Sequence, residues 1–95
     1  MNKKVIKYLR GISHHINPVV MIADKGLTEN ILNDIDIALD RHELIKIKIR
    51  LDKEQRASIS EDIIQQCKAH KIHSIGQTLT IFRANPDDPQ FDLTH

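Results

Sequence analysis

Isoleucine sets the rhythm of this chain. In residues 43–51, Ile45, Ile47, Ile49 and Leu51 alternate with Lys46, Lys48 and Arg50, a period of two that predicts a strand with one apolar and one polar face. Residues 3–14 keep a helical period instead. Val5, Ile6, Tyr8, Leu9 and Ile12 share one arc, and Lys3, Lys4, Lys7, Arg10 and His14 share the opposite one. Asn17-Pro18 ends that helix, and the β-branched run at 19–22 predicts a buried strand. Ile31, Ile35, Ala38 and Leu39 mark the core face of a second helix that ends near Arg41. Ile59, Ile63, Ile64 and Cys67 mark that of a third within residues 53–70. Residues 71–83 then read as two short strands hinged at Gly76-Gln77, a spacing that suits an antiparallel hairpin.

This order, α-βαβαββ, predicts an α/β (α+β) two-layer sandwich. Its four-stranded mixed sheet has three parallel strands and an antiparallel last one, joined by two right-handed crossovers. The strict alternation at 43–51 predicts helices on one face and water on the other. A single domain is expected over residues 1–84. Residues 85–95 hold Pro86, Pro89, Asp87, Asp88 and Asp92 without periodicity, and an acidic mobile tail is expected there.

The stretch 18–32 organises the rest, as strand, tight loop and helix. Gly26 supplies a position where a positive φ costs little, Thr28 is placed to cap the helix, and Glu29 lies in its first turn. Leu27 and Leu32 occupy the positions of a hydrophobic staple. Lys25 beside unpaired N–H groups at a helix N-terminus is a phosphate-binding arrangement; the same residues also make an ordinary strand-to-helix turn.

Composition narrows the function. The chain has 95 residues, 40% hydrophobic and 28% charged, as a soluble globular domain would. Its aromatic residues are Tyr8, Phe82 and Phe91, too few for the base-stacking platforms of RNA recognition motifs and OB-folds. Cys67 stands alone, which excludes an internal disulfide or a thiol-based zinc site and suits a reducing cytoplasm. His70 and His73 lack acids and thiols to complete a metal site. Lys7 and Arg10 break the apolar run that an export signal would need, so no export signal, no membrane span and a cytoplasmic location are expected.

The net charge of +1 conceals a segregation. Lys3, Lys4, Lys7, Arg10 and Lys25 crowd the front, Glu29, Asp34, Asp36 and Asp40 line the second helix, and further acids fill the tail. A helix face selected only for solubility usually mixes signs, and no acid interrupts the basic face of the first helix. It is a candidate anion-binding stripe, with a solvated face as the alternative. The lysines of the 43–51 strand are read as an ordinary wet surface.

Leu9-Arg10-Gly11, His14, Pro18-Val19-Val20, Gly26-Leu27-Thr28 and His42-Glu43-Leu44-Ile45-Lys46 occur in order, followed by Gly76, Thr78, Leu79 and Arg83. In these residues the chain resembles the bacterial YhbY-type CRM domain (chloroplast RNA splicing and ribosome maturation) across residues 5–83. The resemblance implies an RNA-binding fold similar to the C-terminal domain of translation initiation factor three, and association with precursors of the large ribosomal subunit. Two positions depart from the family pattern. Ala23 replaces the first glycine of the usual GxxG loop, with Asp24 beside it, and Gln77 stands where a basic residue is usual.

The expected function is binding, with ribosomal RNA or pre-large-subunit particles as partner. No cofactor, metal or small-molecule substrate is expected, and the chain is expected to act as a monomer. The RNA-binding residues expected are Lys3, Lys7, Arg10 and His14 on the first helix, Lys25, Gly26 and Thr28 at the loop, and Arg83 after the last strand. Phosphate contacts of this kind give affinity with little sequence readout. The alternative is a protein-interaction module that docks a partner through the acidic helix or the exposed sheet face. A phosphoryl-transfer enzyme fits less well, since the loop lacks a P-loop Lys-Ser/Thr pair and no carboxylate cluster is in view for magnesium.

Overall fold

A side-chain oxygen opens each of the three helices. In the computed structural model, which describes residues 1–93, Asn2 Oδ1 accepts from Val5 N at 2.9 Å and starts α1 (Lys3–Ser13). Thr28 Oγ1 accepts from Ile31 N at 3.2 Å and starts α2 (Glu29–His42). Asp52 Oδ1 accepts from Gln55 N at 2.8 Å and starts α3 (Lys53–Cys67). Each cap satisfies a donor that the first turn leaves open. Lys68, in the left-handed conformation with φ 53°, ends α3.

Four strands complete the chain: β1 (Pro18–Ile22), β2 (Leu44–Ile49), β3 (His70–Ile75) and β4 (Thr78–Phe82). The sheet order is β1-β2-β4-β3. β1 is parallel to β2, while β4 runs antiparallel to both of its neighbours. The first three strands therefore share a direction and the last opposes them, as the element order predicts. The turn at Gly76, φ 55°, folds β4 back between β3 and β2.

The main core lies on one face of the sheet. Ile22, Ile45, Ile47, Ile49, Leu79 and Ile81 meet Ile35 and Leu39 of α2 and Ile63 and Cys67 of α3. The expected staple is present, with Leu27 and Leu32 both half-buried against this cluster. Burial pushes the Cys67 thiol above its ordinary pKa, with Asp36 adding to the shift and Arg83 opposing it. Cys67 is a core residue.

In one respect the layering differs from the expectation. α2 and α3 share a face, but α1 packs on the other. Its Leu9, fully buried, meets Leu44, Ile72 and Phe82. Leu44 and Phe82 adjoin Ile45 and Ile81 in sequence, so their side chains point to the opposite side of the sheet. The polar face of β2 is therefore wet only beyond the end that α1 covers, and the two layers become three there. The physical reason is that an amphipathic helix must bury its apolar stripe somewhere, and the second face offers Leu44 and Phe82.

Residues 85–93 contain no helix or strand, yet they lie on the domain. Phe91 meets Phe82 edge-on with centroids 6.3 Å apart, and Leu93 joins the α1 cluster. The Asn85 N–H donates to Glu43 Oε2 at 2.6 Å, and the Gln90 N–H donates to Glu43 Oε1. The packed structure thus continues past residue 84, the expected domain boundary. The Glu43 carboxylate, the Asp40 carbonyl, which accepts from Asn85 Nδ2 at 2.9 Å, and the apolar contacts of Phe91 and Leu93 hold this segment, and none of these requires a periodic sequence.

Candidate nucleic-acid interface

The face of α1 that turns away from Leu9 carries the cations. Lys3, Lys4, Lys7, Arg10 and His14 are all exposed, because Val5, Ile6, Leu9 and Ile12 take the positions that reach the sheet. Among the described residues none of these cations is in an ion pair with a carboxylate. Ser13 Oγ donates to Arg10 O at 2.6 Å, which occupies the buried hydroxyl without drawing on the arginine side chain. Arg10 sits in the last turn, where the helix dipole favours a positive charge. The sequence-predicted stripe of Lys3, Lys7, Arg10 and His14 is thus brought together on one surface.

Two further side chains adjoin the stripe: Lys46, a cation that the sequence reads as ordinary wet surface, and His73, which the sequence offers only as an incomplete metal site. His73 of β3 lies opposite Thr80, which in turn lies opposite Lys46 of β2. Burial first, and then the charges of Arg10, His14 and Lys46, push the His73 imidazole below the ordinary histidine range. That influence places residues of α1, β2 and β3 in one electrostatic field. The signal in the sequence was the location of Lys46 and His73 on strands that α1 also covers; without the strand order, nothing linked them.

The loop at 23–28 is built as expected. The Gly26 N–H donates to Ala23 O at 2.8 Å, closing a turn over Asp24 and Lys25, and Gly26 has φ 69°. Lys25 and Asp24 are exposed. Gly26 and Thr28 serve the turn and the cap, since the Gly26 N–H is used within the loop and the Thr28 hydroxyl caps α2. A Cβ on Gly26 would meet no atom within 4 Å, so the constraint is conformational. Gly26→Val should therefore destabilise the protein by about 1–3 kcal/mol through the positive φ alone. Gly26→Asn, which tolerates that region, should cost clearly less, and thermal denaturation of both variants checks the difference.

Loop and stripe do not meet at one spot. The loop leaves β1 beyond Ile22, opposite Ile49, whereas Leu9 of α1 packs on Leu44 at the other end of β2. Lys46 and Lys48 lie along the strand between them.

Arg83 is engaged elsewhere. Its Nη1 reaches Asp36 Oδ1 at 2.6 Å and Cys67 O at 3.0 Å, and its Nη2 reaches Asp40 Oδ1 at 2.9 Å and Asp36 O at 3.0 Å. Burial works against its charge, but the two carboxylates outweigh it and hold the guanidinium above its ordinary pKa. The side chain ties the end of β4 to α2 and to the end of α3, on the face away from α1. Arg83, expected in the RNA surface, is here a structural tie, paired with two of the four acids on α2, Asp36 and Asp40.

Among the described residues no group of three or more His, Cys, Asp or Glu side chains is arranged to hold a metal ion. No helix among them is long and apolar enough to cross a membrane.

Residues 1–83 match the family model described as the CRS1 / YhbY (CRM) domain. The chain is 39% identical over 88 residues to an RNA-binding protein of Haemophilus influenzae, covering 92% of this chain and 89% of that one. It is 36% identical over 81 residues to a probable RNA-binding protein of Pseudomonas aeruginosa, covering 84% and 78%. The solution structure of a Staphylococcus aureus protein, proposed in its description to bind RNA, superposes with a TM-score of 0.83 at 26% identity over 98% of each chain.

Proposed function

The chain belongs to the CRS1/YhbY (CRM) domain family, and we propose that it binds structured ribosomal RNA in precursors of the large ribosomal subunit. The observation that carries this reading is the acid-free cationic face of α1, exposed and without carboxylate partners among the described residues. Lys3, Lys7 and Arg10 supply charge to phosphates, and His14 extends the stripe. Lys25 adds a separate contact at the 23–28 loop, where Gly26 and Thr28 shape the backbone. The names of the Haemophilus and Pseudomonas relatives support RNA as the partner. The role is binding in ribosome assembly; phosphate contacts give it affinity, and the shape of the RNA gives it selectivity.

The test is crosslinking in cells followed by sequencing of the attached RNA. Reads concentrated in large-subunit ribosomal RNA and its unprocessed flanks are expected. Reads spread over messenger RNA, or no crosslinked RNA, would overturn the assembly role.

A further inference from the structure

The half of the sheet that α1 leaves open has an unusual composition for a wet surface. One rung runs Met21, Lys48, Thr78, Ile75 across all four strands; the next, Lys46, Thr80 and His73, borders α1, and its Thr80 is buried. Met21 is 54% exposed and Ile75 66%, each on an edge strand, and Val19 beside Met21 is 51% exposed. No carboxylate stands in either rung. The face is therefore cationic along its middle and apolar at both margins. It continues directly into the α1 stripe through His73, which feels Arg10, His14 and Lys46.

We infer that this open sheet face is a second part of the RNA surface, and that it takes unpaired bases. The inference rests on the RNA-binding reading above and adds the kind of RNA recognised. Four strands at about 4.8 Å spacing put Met21 and Ile75 about 14 Å apart, with Lys48 between them. A strand of RNA laid across the sheet sets its phosphates over the lysine and a base against each margin. Methionine is a polarisable, adaptable contact for a flat ring, and isoleucine offers its apolar surface where an aromatic platform is lacking. A protein partner fits the face less well, because the centre of a protein interface is depleted of lysine and here lysines occupy the centre. A duplex gains little from the margins, since its bases are stacked inside.

The experiment compares the wild-type protein with the Met21→Ser/Ile75→Ser double variant on two probes: an RNA hairpin with a long unpaired loop, and a blunt RNA duplex of equal length. Both residues are exposed, so the melting temperature should hold. Affinity for the hairpin should fall about five- to tenfold while the duplex is bound as before. The salt dependence should stay unchanged, because no charge is removed. Equal hairpin affinity in variant and wild type would overturn the inference, as would an equal loss on both probes. A photo-crosslinker at position 75 that captures protein and not RNA in cells would also overturn it. If the wild type binds neither probe, the RNA-binding reading fails with it, which distinguishes the two failures.

Discussion

Glu43→Ala is expected to cost the fold about 3 kcal/mol in the full chain, and less than about 1 kcal/mol in a chain ended at Ala84. Glu43 is 2% exposed, and its carboxylate accepts from the backbone of Asn85 and Gln90. Its own backbone is committed as well: Glu43 N–H donates to Leu39 O, and Arg83 N–H donates to Glu43 O, both at 2.9 Å. It also has φ 61° and ψ −47°, near the rare γ-turn conformation that non-glycine residues seldom adopt. Strain of that order persists only where surrounding contacts over-determine it. The alanine variant keeps the strain, loses two charge-assisted bonds at about 1.5–3 kcal/mol each before water replaces them, and loosens Phe91 from Phe82. Once the segment after Ala84 is absent, those partners are absent too, and the carboxylate meets water. A double-mutant cycle by denaturant unfolding measures the coupling. Equal costs in the two backgrounds would mean that Glu43 acts only within its own turn.

That role was not legible in the sequence, for a physical reason. Glu43 finds its partners 42 and 47 residues away, in a segment without period, and hydrogen bonding to backbone N–H groups leaves no mark on the identity of the donors. The elements themselves were legible. The alternation of Ile45, Ile47 and Ile49, the arcs of α1 and α2, and the Gly76-Gln77 hinge each express a local period or a local turn. The side of the sheet that α1 covers was half legible. Leu44 and Phe82 are apolar residues out of phase with their neighbours, and they mark a second buried face for a reader who asks what the alternation leaves over.

The candidate site divides in the same way. The stripe on α1 follows from helical spacing and was found. The contribution of Lys46 and His73 depends on the order β1-β2-β4-β3, which no local pattern encodes. Arg83 looked like a free cation because Asp36 and Asp40 lie more than forty positions earlier; the fold alone brings them together.

The second large effect is on binding. Lys7→Glu combined with Arg10→Glu should lower RNA affinity about 30- to 150-fold at low salt, since each reversal removes an attraction and adds a repulsion within a Debye length. Arg10 also complements the C-terminal end of the α1 dipole, so the reversal costs about 0.3–1 kcal/mol of stability. Lys7→Gln with Arg10→Gln avoids most of that cost and keeps the fold comparison clean. Reversal of Asp34, on the acidic helix, should leave RNA binding close to its original strength, because α2 lies on the other face of the sheet.

The most direct test of RNA binding through α1 is the slope of log affinity against log salt for ribosomal RNA, measured for the wild type and for the Lys7→Gln/Arg10→Gln variant. The slope should become shallower by about 1.4–1.8, the release of counterions from two phosphates, with affinity converging toward the wild type as salt rises. An unchanged slope and an unchanged affinity would contradict the account, since the RNA would then not touch this helix.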